Sequence, residues 1–261
     1  MIPKIIHYCW FGGNPLPELA VKCINSWKKY LPDYEIVEWN ESNYDVRKIS
    51  YIAQAYDAKK YAFVSDYARF DILYQFGGIY FDTDVEVIKD MSDILANGAY
   101  AGIESSGKGA ALNTGLGLAS PVASPILKEI LKSYENDQFL NNDNSLNLTT
   151  VVTRVSNIFE KYGFTDESKI QNVAGFTIYP EEYFCPINPA TGVMNITENT
   201  RTIHHYAATW TIPLRKKYMK MRAALSKKIG IKLAKIILLP IQIVCVYKEV
   251  GIKSLIKKIV G

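Results

Sequence analysis

Apolar and polar positions follow two rhythms through most of the chain, and a third takes over in its C-terminal stretch. Residues 4–10, KIIHYCW, form a short apolar run closed by Phe11-Gly12-Gly13, which reads as a buried strand ending in a loop. Residues 16–30 suit a helix, and residues 34–39, YEIVEW, alternate with the two-residue period of a strand before a polar connection over 40–50. A helix then runs from Ser65, as N-cap, to Gly77, as C-cap, and a strand follows at once over 79–88. Further strands are predicted near 100–103, 116–119, 177–179 and 201–206, with helices over 126–134 and 149–162. The Asn-rich stretch 141–147 is a loop.

From Pro213 onward the pattern becomes a basic amphipathic helix, broken by Gly230, Pro240 and Gly251. This change divides the chain into an α/β domain over 1–213 and a helical tail over 214–261. The length suits one such domain with an appendage. Charge sharpens the division: the tail holds 13 Lys or Arg against one Glu, whereas the body holds 17 bases against 25 acids. The tail's longest uncharged stretch, 236–247, is too short to cross the roughly 30 Å hydrocarbon layer as a helix. Its interleaved Lys and Ile fit the surface of an anionic membrane, while a lid on the acidic body or an oligomer contact is the alternative. No nucleic-acid-binding module is recognisable. Cys9, Cys23, Cys185 and Cys245 show no C-x-x-C pairing, so neither a zinc site nor a disulfide framework is expected. With no leader-like N-terminus, a cytoplasmic protein lying on the inner face of the cell membrane is expected.

The candidate chemistry lies at the end of the run Ile79-Tyr80-Phe81. Asp82 and Asp84 stand at i and i+2, so a strand would project both carboxylates from one face, about 7 Å apart at the backbone. Such oxygens suit Mn²⁺ or Mg²⁺, with substrate phosphates completing the shell. Asp66 and Arg69, at i and i+3, share a helix face, and the Gly77-Gly78 reversal returns the chain so that helix start and carboxylates meet. An isolated Asp-x-Asp is a weak indicator, but two unpaired carboxylates closing an apolar strand would cost several kcal/mol without a partner.

The string SDYARFDILYQFGGIYFDTDVEV resembles the DXD sugar-binding region of glycosyltransferase family 32 and is similar to the large clostridial glucosylating toxins. The opening IPKIIHYCWFGG and the segment HHYAATW, ending at Trp210, extend the resemblance over most of residues 1–210. It implies a GT-A type, Rossmann-like α/β domain with a mixed central sheet flanked by helices. It implies a metal-dependent hexosyltransferase that uses a nucleotide-sugar, a UDP-sugar favoured, and retains anomeric configuration. The acceptor would be a glycan or lipid-linked saccharide, as in capsule or other surface polysaccharide synthesis. Asp84 would ligate the metal directly, and Asp82 would hold the metal, a metal-bound water, the ribose or the sugar. Asp66 and Arg69 would grip sugar and phosphate, and Trp10 or Phe11 would stack on the base. Trp210 would reach the diphosphate or fill core. Asn113 would approach the reacting sugar or serve a turn. His204 and His205 point to opposite faces of a strand, so at most one reaches the metal; His205 is the favoured ligand, with His204 packed or hydrogen-bonded. His7 is expected to be a satisfied core histidine. Where related proteins carry Thr-Gly-Pro, this chain has Leu148-Thr149-Thr150-Val151.

Two other readings compete. A haloacid-dehalogenase-like phosphotransferase also ends an apolar strand in Asp-x-Asp, but Glu86 stands where that pattern has Thr or Val. A catalytically inactive membrane scaffold would not need Asp66, Arg69, Asp82 and Asp84 intact.

Overall fold

The structure, a computed structural model, describes residues 1–105, 109–143, 145–188, 190–208 and 211–260, with side chains to residue 249. In chain order the elements are β1 (Ile5–Cys9), α1 (Glu18–Tyr30), β2 (Glu35–Trp39), α2 (Ser50–Asp57), α3 (Tyr61–Phe76), β3 (Gly78–Tyr80) and β4 (Val85–Val87). Next come α4 (Ser92–Ala96), β5 (Tyr100–Ser105), β6 (Ala110–Ser120), α5 (Pro125–Glu135), α6 (Val151–Glu160), β7 (Gln171–Val173) and β8 (Phe176–Tyr179). The chain closes with α7 (Glu181–Phe184), β9 (Thr202–His204), α8 (Pro213–Ile229), α9 (Ile231–Ile237) and α10 (Leu239–Val260).

Among the described residues, seven strands form one sheet in the order β2-β1-β3-β6-β5-β8-β7, and β4 pairs with β9 in a small second sheet. The large sheet is mixed: β1 runs parallel to β2 and β3, whereas β6 lies antiparallel between β3 and β5. This is the α/β architecture with a mixed sheet and flanking helices that the sequence predicts. Alternation along β3 shows how the layers close. Tyr80 faces a core built with Phe63, Val64, Phe70 and Leu118, while Ile79 and Phe81 face the opposite core with Trp27, Tyr100 and Leu116. Helix α3 is buried nearly all round, with Val64, Ala68, Phe70, Ile72 and Leu73 fully enclosed, which marks it as a central helix rather than a surface one.

Three boundaries differ from expectation in ways that matter for the site. Helix α3 begins at Tyr61, one turn before Ser65, because Phe63 and Val64 bury that extra turn; the Ser65 hydroxyl donates back to the Tyr61 carbonyl. Asp66 and Arg69 therefore sit inside the helix, away from its N-terminal amides. The expected continuous strand 79–88 is broken after Tyr80, since Ile79 pairs with Ala119 in the large sheet and Val85 with His204 in the small one. Asp82 to Asp84 form the corner between the sheets, where the Val85 N–H donates to the Asp82 carbonyl at 3.0 Å. Helix α2 occupies the end of the stretch read as a connection, and its Tyr51, Ile52 and Ala55 are buried.

The Gly77-Gly78 reversal works as predicted and for a visible reason. Gly77 ends α3 with φ 62°, and Gly78, at φ 101°, lies so close to β1 that a Cβ would stand 2.6 Å from the Ile5 carbonyl oxygen. The tail is helical and folds back on itself around Tyr218, Leu238 and Cys245, clamped by an Arg215–Glu249 ion pair at 2.6 Å. Gly230 breaks it as expected, whereas α10 begins one residue before Pro240 and runs through Gly251. No helix of the described residues is long and apolar enough to cross a membrane.

Candidate active site

Four of the residues singled out in the sequence converge where α3 meets the corner after β3. The Arg69 guanidinium, 3% exposed, donates to Asp66 Oδ1 at 2.8 Å and to Asp82 Oδ1 at 3.0 Å. It also reaches Thr114 Oγ1 at 3.3 Å and packs over the Tyr80 ring at 4.8 Å. Burial pushes the Asp66 carboxyl up to about 7, against the pull of Arg69 and with a further push from Asp82. One guanidinium thus serves two carboxylates.

Asp84 lies on the other side of the corner, attached to β9. Its Oδ2 accepts from the Ala207 N–H at 2.8 Å, and its Oδ1 stands 3.3 Å from His204 Nε2. Burial would raise this carboxyl, yet the His204 ring and the Ala207 amide hold it at about 2. The partner effect is mutual: burial lowers His204, but Asp84 overrides it and holds the imidazole well above its ordinary value.

Asp82, Asp84 and His204 each offer a ligand atom, and these atoms lie within 4.8 Å of one another. Two ligands on a single ion at about 2.1 Å each stand about 3 to 4 Å apart, so small movements would bring the three onto one cation. Two carboxylate oxygens and an imidazole nitrogen suit Mn²⁺ better than Ca²⁺. Three carboxylates here face one guanidinium and one imidazole, an excess of negative charge that a divalent cation would balance.

The histidines are placed the other way round from the sequence expectation. His205 turns from Asp82 and Asp84 and meets Glu86 Oε2 at 2.8 Å, where Lys22 also pairs at 2.7 Å. The two faces of β9 separate the neighbours as anticipated, but the register Val85↔His204 puts His204 on the face of the acidic corner. Phe11 is 5% exposed and packed against Tyr44 at 6.0 Å between ring centroids, so it belongs to the core rather than to a base-stacking surface. Trp10 is half-buried at the end of β1, with its indole N–H donating to the Asn14 carbonyl at 2.6 Å. Trp210 lies outside the described residues. His7 is a core histidine: Nε2 meets the Gly77 carbonyl at 2.9 Å, and Nδ1 accepts from Trp39 at 3.1 Å, which fixes the Nε2–H tautomer.

Asn113 opens toward the site from β6. Its Nδ2 donates to Glu104 Oε2 at 2.9 Å, and its Oδ1 accepts from the Gly115 N–H at 2.8 Å. Gly115 lies tight against the acidic corner: a Cβ there would stand 2.1 Å from Asp82 Oδ2 and 3.1 Å from Asn113 Oδ1. Sequence reasoning missed Glu104, Tyr206 and Cys185. Tyr206 donates to Glu104 at 3.2 Å and meets the Cys185 sulfur at 2.8 Å, so a polar chain runs from Asn113 to the far side of β9. No local motif marks these three, because strand pairing and loop return bring them together.

Comparison with known proteins bears on this corner. Residues 17–101 match the family described as the glycosyltransferase sugar-binding region containing DXD motif. Over 98 residues the chain is 35% identical to inositol phosphoceramide mannosyltransferase 3 of Schizosaccharomyces pombe, covering 36% of this chain and 27% of that protein. Inositol phosphoceramide mannosyltransferase 1 of the same yeast is 28% identical over 110 residues, covering 38% of this chain and 33% of the relative. The chain therefore spans a third or less of these relatives' length. A PaToxG glycosyltransferase structure, 20% identical, aligns over 61% of this chain and 69% of its own with a TM-score of 0.47. Asp66, Arg69, Asp82 and Asp84 all fall inside the matched segment, so the acidic corner lies in the part of the chain that is similar to the glycosyltransferase sugar-binding region containing DXD motif.

Proposed function

We propose that this chain is a metal-dependent hexosyltransferase, moving a sugar from a nucleotide-sugar to a glycan or lipid-linked saccharide with retention of configuration. The observation that carries the reading is the convergence of Asp82, Asp84 and His204 within 4.8 Å, beside a buried Arg69 already paired with Asp82. A phosphotransferase would need a free nucleophilic aspartate at Asp82, whereas here that carboxylate is tied to Arg69.

Asp82, Asp84 and His204 would hold Mn²⁺ or Mg²⁺, which when bound neutralises charge on the departing diphosphate as a Lewis acid. Arg69 fixes the Asp82 carboxylate and, through Asp66, is itself held in place. With Asp82 held by Arg69 and Asp84 by His204 and the Ala207 amide, little reorganisation is left for the moment of transfer. Asn113 presents its amide beside this corner, where it would orient the reacting sugar, and Trp10 offers a half-exposed face for the base. No protein nucleophile is required.

UDP-hexose remains the favoured donor, and the names of the two yeast relatives make GDP-mannose the second to try. Incubation with UDP- and GDP-hexoses and Mn²⁺ should release nucleoside diphosphate, and Asp82→Asn with Asp84→Asn should abolish that release. Equal release from both proteins would remove the proposal.

The tail supports a peripheral position on the inner face of an anionic cell membrane. Ile236 and Ile237 are 66% and 52% exposed beside Lys232 and Lys235, an arrangement that suits insertion among lipid headgroups. Full-length protein should float with anionic liposomes, and Ile236→Asp with Ile237→Asp should stay in the pellet. Flotation of the double variant at the wild-type level would refute the membrane assignment.

A further inference from the structure

Beyond the polar chain that leaves Asn113 lies a cleft of about 300 Å³ with no assigned role. The end of β5 at Ser105, helix α7, and the hairpin-like return formed by residues 186–188 and 190–195 line it. The return is shaped by an Ile187–Met194 bridge and an Asn195-to-Pro186 backbone hydrogen bond of 2.9 Å, and Gly192 at its tip backs onto Ala223 of α8. A second cleft lies at the sheet edge near Asn97 and Asn172.

We propose that this cleft binds the neutral saccharide acceptor, an inference that rests on the transferase reading above and gives it an acceptor site. Three observations carry it. Among the described residues lining the cleft none is basic, so a diphosphate or other anion finds no counter-charge there. Instead the lining offers the Ser105 and Thr191 hydroxyls, the Asn188 and Asn195 amides, and the carboxylates of Glu181 and Glu182, groups that pair with sugar hydroxyls as donors and acceptors. Val193 adds an apolar wall for the carbon face of a pyranose.

The third observation is connection. Cys185 lines the cleft and touches Tyr206, Tyr206 reaches Glu104, and Glu104 holds Asn113. Gly115, whose Cβ position is 2.1 Å from Asp82 Oδ2, is also 3.1 Å from Asn113 Oδ1. The cleft is therefore joined to the acidic corner by one continuous chain of side-chain contacts, which places it on the same side of the fold as Asn113.

Saturation-transfer NMR on the full chain, with methyl glycosides of mannose, glucose and galactose as probes, tests this directly. At least one glycoside should receive magnetisation, and Ser105→Trp and Asn195→Trp should each abolish it by filling the cleft. Both positions are exposed, so two variants guard against one misfolding. The same transfer should persist in Asp82→Asn with Asp84→Asn, which disables only the donor corner. The proposal is overturned if no glycoside responds, if both tryptophans leave the transfer intact, or if the aspartate variant removes it. Thermal shift of the wild type by UDP with Mn²⁺ is read separately, and its absence would count against the donor reading alone.

Discussion

Gly115→Ala is the sharpest perturbation the site offers. Its Cβ would arrive 2.1 Å from Asp82 Oδ2, more than 1 Å inside ordinary contact. Gly115 is not among the glycines with positive φ, so the backbone accepts alanine, and the lost freedom of the unfolded chain contributes roughly 0.4–1 kcal/mol of stability. The strain falls instead on the Asp82 carboxylate, which must swing away while its other oxygen is held by Arg69 at 3.0 Å. Losing one charge-assisted hydrogen bond costs about 1.5–3 kcal/mol. Displaced by the same clash, Asp82 also leaves any cation it shares, and a charge-assisted contact of that size corresponds to roughly 10- to 150-fold in affinity. Calorimetric titration of Mn²⁺ in the presence of UDP should therefore show at least about a tenfold weaker site, with the melting temperature changed by only a few degrees. Binding within twofold of wild type would refute the placement of Asp82 in the metal site.

Arg69→Met should destabilise the fold by about 2–4 kcal/mol in urea, since it leaves the part-buried Asp66 and Asp82 without their shared cation; a loss under 1 kcal/mol would contradict the geometry. Acid should act through His7, whose burial lowers its pKa to about 4 while the Gly77 carbonyl opposes the shift. The unfolded chain then binds the proton first, so stability present above about pH 6.5 is lost as pH falls toward 4, by about 3 kcal/mol in all. The difference between wild type and His7→Gln across that window isolates the effect, and parallel curves would sink it.

Much of the corner was legible because it is local in sequence. Asp66, Arg69, the Gly77-Gly78 reversal and the two aspartates lie within one helix–turn–strand unit, and hydrophobic periodicity places such units well. The break between β3 and β4 was not legible, because Ile79-Tyr80-Phe81 and Val85-Glu86-Val87 both read as strand and only their partners, β6 and β9, separate them. The choice between His204 and His205 was not legible for the same reason. Alternation says that they diverge, and only the register against Val85 says which one faces Asp84. Phe11 resembled a stacking residue by position, yet Tyr44, from a connection that carried no periodic pattern, closes over it. Glu104, Tyr206 and Cys185 are distant in sequence and meet only because β5, β9 and the loop after α7 converge.

On the proposed reading, Asp82, Asp84 and His204 share one divalent cation. Pulsed electron paramagnetic resonance of Mn²⁺ bound with UDP reads it directly, since an imidazole ligand imprints nitrogen modulation on the metal's echo. This modulation should survive His205→Ala and vanish in His204→Ala; loss with His205 instead, or no nitrogen coupling in the wild type, would overturn the three-residue site.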